Sequence, residues 1–572
     1  MRNISSLKDT QQNTLFDMES CGWWHTGLSR EAYRRLENGI EGVFRRSVLE
    51  LMPAEAVGAA FDPSIGRPSK ELHAACGLLL LAEYRNWTVD QSADAWCFDA
   101  SVQYALRLPR DRQHMCPRTV DSYRALLREN DLAQSVFETV TAAIVKEMGL
   151  SIKKQRLDST HLFSDMARFG RLKLLAVCIK RFLVQLKRHD PERYQALPGE
   201  LTARYEAGEN RLFGAGSKQS RSYQEDLQQA ARDMAELIGC FSENDEVSAR
   251  SSFKSLVRVF TEHCEVTEEE IAVVLPKAED ENAQSARVLQ NPSDPDAGYD
   301  GHKGPGFQVQ LAQAYDTKEP GPGIITACIP QSAAESDSAA LEVVAQQQQR
   351  MGTTPQALLA DTSYGSLANV EQCAANGTLL LAPTPGNARK NLPATTETKV
   401  SPRTAAQRSI DIRRHIETTA SWKREYSKRS GVEGLHAALD RITGIKQLRV
   451  RGMKAVTLSV CFKVTGWNIR AAAQIARNRR KKAENPQKWA KQPLFNASIA
   501  RFGRVMPEIR HLPRIHSRHP LARIESQRRP LPSPHHSIHF LRRHLSIAAA
   551  RALSVDCSGS AQYEIQKETM GS

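Results

Sequence analysis

The sequence predicts an α/β fold in which a mixed sheet is flanked by helices, interrupted by a helical insertion and preceded by an all-helical region. Three observations carry this reading. Apolar residues recur at helical spacing through the first 150 positions, the period changes to alternation at Phe307, Val309 and Leu311, and a long helical stretch separates two strand-like blocks. The chain divides accordingly into an N-terminal helical domain at residues 1–150, a sheet domain at 151–475 with its insertion over about 165–290, and a basic tail at 476–572. At 572 residues it exceeds the size at which single cores stop growing, so several units are expected.

In the N-terminal region, RPSKELHAACGLLLLAEYRNWTVDQSADAW has apolar residues at helical spacing after a Pro and Ser start signal. It breaks near Asn86 and resumes at Val89, which predicts a helical hairpin. Pro117 and Thr119 open a further helix, with Val120, Tyr123 and Leu127 on one face and Arg124 and Arg128 elsewhere. Such a helix fits a DNA groove, and it also fits an ordinary solvated surface.

The insertion repeats apolar residues at Leu175, Ile179, Phe182 and Leu186, and continues through Tyr205, Leu227, Met234 and Leu237. Its acidic distal part, TEEEIAVVLPKAEDENAQS, suits a solvent-facing return rather than a phosphate-binding surface. Strands follow at Phe307–Ala312, Ile324–Ile329, the LLAD stretch ending at Asp361, and Leu379–Pro383, with a helix over Ala339–Met351 between the second and third. That order of strand, strand, crossover helix and strand implies a mixed sheet.

Lys and Arg total 78 against 64 Asp and Glu, a formal charge of +14 that favours a polyanionic partner. The longest plain apolar run, Leu78–Ala82, is far short of the roughly 20 residues that span a bilayer. The N-terminal MRNISSLKDTQQ has no apolar signal core, so a cytoplasmic protein without a membrane partner is expected. Eleven cysteines are scattered singly with no Cys-x-x-Cys pair, which argues against a zinc site or a disulfide framework.

Three acidic residues stand in distinct local settings. Asp158 and Asp361 each close a strand-like stretch, and Tyr426, Arg429 and Glu433 are spaced three and four apart, as on one helix face. Carboxylates delivered by rigid elements, with room for water and phosphate, are what a hard divalent cation requires. Singly, each is ordinary: Asp158 and Asp361 precede Ser or Thr as turn formers do, and Arg429 with Glu433 is a common helix-surface pair. Asp165, Asp294, Asp296, Asp316 and Asp337 are weaker competitors in turns or helix starts, and His161, His302 and Lys303 lie near the same blocks.

The Tyr426, Arg429 and Glu433 spacing, with the stretches DSTHLFSDMARFGRL, DAGYDGHKGPGFQVQLAQAYD and ADTSYGS, resembles the bacterial insertion-sequence transposases with an Asp, Asp, Glu triad. The resemblance spans residues 60 to 475 approximately, and Asp440 departs from it, standing where the family pattern has a Lys, with Arg441 beside it. It implies a ribonuclease-H-like catalytic domain and an N-terminal DNA-binding domain. Asp158, Asp361 and Glu433 would be the catalytic residues and the ligands of Mg²⁺, with Mn²⁺ able to substitute. Tyr426, Arg429, Arg124 and Arg128 would meet DNA. The implied activity is cleavage of insertion-sequence ends and joining of 3′-hydroxyls to target DNA, by a homodimer or larger synaptic assembly associated with the nucleoid. The alternative is a transposase-derived DNA-binding protein with weak or no catalysis, in keeping with the charge at Asp440 and with a tail unlike the family's usual ending. From Arg477 to Arg543 the tail has seventeen Lys and Arg against three Glu, a composition that predicts a disordered, phosphate-attracting segment.

Overall fold

The computed structural model describes residues 29–62, 64–66, 68–109, 113–164, 166, 169–206, 221–266, 271–273, 288–315, 321–386 and 402–484. These divide into two compact units, one formed by the chain before Met166 with the chain after Pro305, the other by Met166–Pro305.

In the first unit, α1 (Leu72–Tyr84) and α2 (Val89–Phe98) form the hairpin that the break near Asn86 predicts. Glu71 opens α1 by accepting from the amides of His73 at 3.2 Å and Ala74 at 2.6 Å, and Thr88 with Gln91 makes a capping box at the start of α2. Asn86 turns the chain between them at a φ of 55°. α3 (Pro117–Glu129) carries Pro in its first turn and buries Val120, Tyr123 and Leu127, and α4 (Leu132–Met148) follows.

The sheet comprises β1 (Lys154–Phe163), β2 (Gly304–Ala314), β3 (Ile325–Ser332), then, after α5 (Asp337–Arg350), β4 (Ala357–Leu359), and, after α6 (Leu367–Ala375), β5 (Leu379–Leu381). β1 is antiparallel to β2 from Gln155 opposite Ala314 to Phe163 opposite Gly306, and parallel to β4; β3 is antiparallel to β2 and β5 parallel to β4. The five therefore pair in the order β3-β2-β1-β4-β5. On one face Leu157, Ala312, Ala327, Leu358 and Leu380 pack with Leu341 and Val344 of α5 and Cys373 of α6. On the other, Leu359 and Leu381 pack against Trp422.

Past β5 the unit continues with α7 (Pro402–Thr418), α8 (Ala420–Tyr426), a 3₁₀ turn at Ser427–Ser430, α9 (Gly431–Thr443) and the long α10 (Met453–Glu484). Most of α10 is buried to Ile475, and Asn468 ties it to β3, accepting from the Ile325 amide at 2.8 Å and donating to the Ile325 carbonyl at 2.8 Å. Residues 476–484, expected in the tail, are the last turns of α10, where helical packing upstream carries the chain on. Residues 485–572 of that tail lie outside the described residues, as do Asp165 and Asp316.

The second unit is mainly helical, with one short antiparallel pair, Cys264–Val266 and Ile271–Val273. Arg171–His189, Arg221–Phe241 and Ser251–His263 surround Phe182, whose ring meets Phe241 at 5.4 Å and Phe253 at 5.6 Å. Leu175, Ile179, Leu186, Tyr205, Leu227, Met234 and Leu237 are all buried there, as their spacing predicts. Every described cysteine in the chain is free.

Candidate active site

β1 alternates sharply. Its odd-numbered residues Gln155, Leu157 and Ser159 face α5, and its even-numbered Lys154, Arg156 and Asp158 face the segment that carries Tyr426 and Arg429. Asp158 sits mid-strand rather than at the strand end expected from Leu150, Ile152 and Leu157. The ladder to β2 continues through His161 and Leu162 to Phe163, so the apolar residues after the acid extend the strand. The Asp158 side chain accepts from Arg429 Nη1 at 3.2 Å and from the Ser159 amide at 3.1 Å.

Asp361 follows β4, the parallel neighbour of β1, and caps a 3₁₀ turn by accepting from the Ser363 amide at 2.8 Å. The turn is held closely. A Cβ on Gly365 would lie 2.0 Å from the Pro383 carbonyl oxygen, and Arg413 of α7 donates to the Gly365 carbonyl at 2.9 Å. The adjacent Tyr364 is fully buried and donates to Gln310 of β2.

Tyr426, Arg429 and Glu433 do not share one continuous α-helical face. Tyr426 ends α8, Arg429 is in the 3₁₀ turn, and Glu433 is in the first turn of α9. A 3₁₀ turn has three residues per turn, which eclipses Tyr426 and Arg429 but alters the rotation at which Glu433 emerges. Tyr426 stacks on Trp422 with ring centroids 4.5 Å apart. Glu433 is exposed and has no hydrogen bond or ion pair among the described residues.

The electrostatics join Asp158, Asp361, Arg429 and Tyr426. Burial pushes the Asp158 carboxyl up to about 6; the Arg429 guanidinium opposes this and the Asp361 charge adds to it. Burial works against the Arg429 charge, yet Asp158, Tyr426 and Asp361 together hold its pKa above the ordinary value. Burial, then the charges of Asp337, Asp158 and Asp361, pushes Tyr364 well up. Asp337 accepts from Ser159 Oγ at 3.2 Å and Gln310 Nε2 at 2.7 Å, so an acid that the sequence ranks low as a helix start borders the site through Ser159, Gln310 and Tyr364. Among the described residues no group of three or more His, Cys, Asp or Glu is arranged to hold a metal ion. The structure thus brings two of the three expected acids into electrostatic reach and leaves Glu433 apart from them.

With that geometry in place, comparison with known proteins bears on the chemistry. Residues 387–473 match the family described as transposase DDE domain. The match supports an insertion-sequence DDE transposase. It covers Tyr426, Arg429 and Glu433, whereas Asp158 and Asp361 lie outside it. No curated protein and no solved structure matches the chain.

The remaining expected residues occupy varied settings. Arg124 pairs with Asp121 at 3.2 Å and approaches Glu83 at 3.9 Å, and Arg128 lies 3.7 Å from Glu129. Asp440 Oδ1 accepts from the Lys446 amide at 3.0 Å and so closes the turn after α9, a local role that its position seven residues past Glu433 does not reveal. His161 is buried with its ring against Phe163, and the amides of His302 and Lys303 donate to Asp300. No described helix is long and apolar enough to cross a membrane. Arg156, Arg413 and Gln310 are site supports that sequence reasoning missed, because their partners are 27 or more residues away in sequence and no motif announces them.

Proposed function

We propose that the chain cleaves the ends of its own DNA element and joins the freed 3′-hydroxyls to target DNA, with Asp158 and Asp361 at the reacting centre and Glu433 completing the acid set. The observation that carries this is the Asp158–Asp361 pair, one acid within β1 and the other just past its parallel neighbour β4, where the burial of Asp158 and the charge of Asp361 call for compensating positive charge. The strand order β3-β2-β1-β4-β5 supports the ribonuclease-H-like reading of the sheet, and the family match supports transposition as the class of activity.

Two oxygen-donor carboxylates suit Mg²⁺, or Mn²⁺ in its place, and Asp158 and Asp361 would hold it. When bound, such ions neutralise phosphodiester charge, favour deprotonation of water or a 3′-hydroxyl, and stabilise the leaving oxygen. The protein residues supply the rest. Arg429, already bonded to Asp158, fixes that carboxylate and has further N–H groups for a phosphate oxygen. Tyr426, braced by Trp422, presents its phenol beside Arg429. Glu433, exposed one helical turn further on, is free to join the acids when DNA is engaged. Arg124 and Arg128 belong to the DNA-binding surface in this reading, and the paired nature of element ends implies a dimer or larger assembly acting at the nucleoid.

The test is metal-dependent nicking of element-end DNA, with binding measured in parallel. Asp158→Asn, Asp361→Asn and Glu433→Gln should each lower the nicking rate at least ~100-fold while changing DNA affinity little. Undiminished nicking by Asp158→Asn would sink the reading, and by Glu433→Gln alone would remove that residue from it.

A further inference from the structure

A Cβ on Gly431 would lie 1.8 Å from Nη1 of Arg156, so a side chain there would have to displace that guanidinium. Arg156 stands two residues before Asp158 on the same face of β1. Its Nη1 donates to the Lys428 backbone carbonyl at 3.1 Å, its Nε and Nη2 donate to Gln313 Oε1 at 2.8 and 2.6 Å, and its guanidinium lies 5.6 Å from the Tyr315 ring centroid. The planar fork is thus fixed to β2 on one side and reaches the backbone of the 3₁₀ turn on the other.

It is the middle rung of three. Lys154 pairs with Glu425 at 2.8 Å and Asp158 with Arg429 at 3.2 Å, so alternate residues of one strand each touch the segment 425–429. The outer rungs join flexible side chains to one another. The middle one grips a main-chain carbonyl, and so senses where the backbone lies rather than which side chain it carries. Two residues after Gly431 comes Glu433, whose angle on α9 depends on how the 3₁₀ turn is seated.

We infer that Arg156 is a positioning residue that sets the register between the strand bearing Asp158 and the helix bearing Glu433, with Gly431 as the notch that admits it. The consequence for catalysis rests on the function proposed above, but the register itself does not. A cycle of Arg156→Ala, Gly431→Ala and the double variant separates the two. Hydrogen exchange of the amides over 427–434 reads the register without any reaction, and metal-dependent nicking reads its use.

Arg156→Ala and Gly431→Ala should each speed exchange at 427–434 about tenfold and slow nicking at least about tenfold, with DNA affinity within twofold. The double variant should be no worse than Arg156→Ala within about twofold, because the three atoms nearest the added methyl, all of the Arg156 guanidinium, are then gone. If Arg156→Ala does not fold, Arg156→Lys replaces it, which keeps the charge but cannot donate to Gln313 and Lys428 together. Additive losses in the cycle, or unchanged exchange in the single variants, would overturn the register. Non-additive exchange with unchanged nicking would overturn its role in positioning Glu433, and Asp158→Asn that still nicks would overturn the proposed function while leaving the register standing.

Discussion

Asp158 illustrates how position in a fold turns a common residue into an unusual one. Its carboxyl ionises at about 6 against an ordinary 3.8, with burial the first cause and Asp361 adding to it. Between those values the native state holds more protons than the unfolded chain, so this residue makes stability fall as pH rises from 4 to 6, approximately, and level off above. Asp158→Asn removes that titration. Its stability relative to wild type should therefore rise across the same interval, by about 1–3 kcal/mol in all, as read from denaturant unfolding at several pH values. A difference that does not change with pH would contradict the account. At this scale the apolar stretches before Asp158 and Asp361 drew attention to both acids, but revealed neither the mid-strand place of Asp158 nor the proximity of the two. Asp337 ranked low because its contacts to Ser159 and Gln310 cross the sheet, and a helix-start acid looks like any other.

Among the elements, legibility followed how local the determining contact is. The α1–α2 hairpin and α3 were readable because their caps, proline and apolar spacing all lie within a few residues. The join from α8 to α9 was not, because its 3₁₀ turn sits against Arg156 on a strand 272 positions away from Lys428, and spacing alone suggested one helix. The far end of α9 is held in a comparable way. Lys463 is buried within α10, where its Nζ donates to the carbonyls of Thr443 at 2.7 Å and Glu83 at 3.0 Å and to Asn86 Oδ1 at 3.1 Å. One ammonium thereby joins α9, α1 and α10, and burial draws its pKa down while Glu83 opposes this. Lys463→Ala should destabilise the protein by about 3–5 kcal/mol, since it opens a cavity and strands buried acceptors. A loss within about 0.5 kcal/mol in denaturant unfolding would show that water replaces the amine without cost.

At the scale of the whole molecule, the two units differ in what stabilises them. The first contributes five strands of a six-stranded sheet, with helices on both faces, and the second is mainly helical around the Phe182, Phe241 and Phe253 cluster, with Asp233 bound by Arg204, Tyr205 and Gln229. The insertion interrupts the sheet domain between its first two strands, so β1 pairs with a strand that arrives more than 140 residues later. Such pairing is set by tertiary contact and leaves no local trace, which is why the sequence yields the strands without their order. Transposition chemistry at Asp158 and Asp361, as proposed above, belongs to this sheet and the helices beside it. Its most direct test is strand transfer, in which the full chain is mixed with Mg²⁺, target DNA and a precut element end bearing a free 3′-hydroxyl. Covalent joining of that 3′-hydroxyl to the target, lost in Asp361→Asn, is the expected outcome; joining that persists undiminished in Asp361→Asn, or nicking by the wild type that never leads to joining, would refute the proposal.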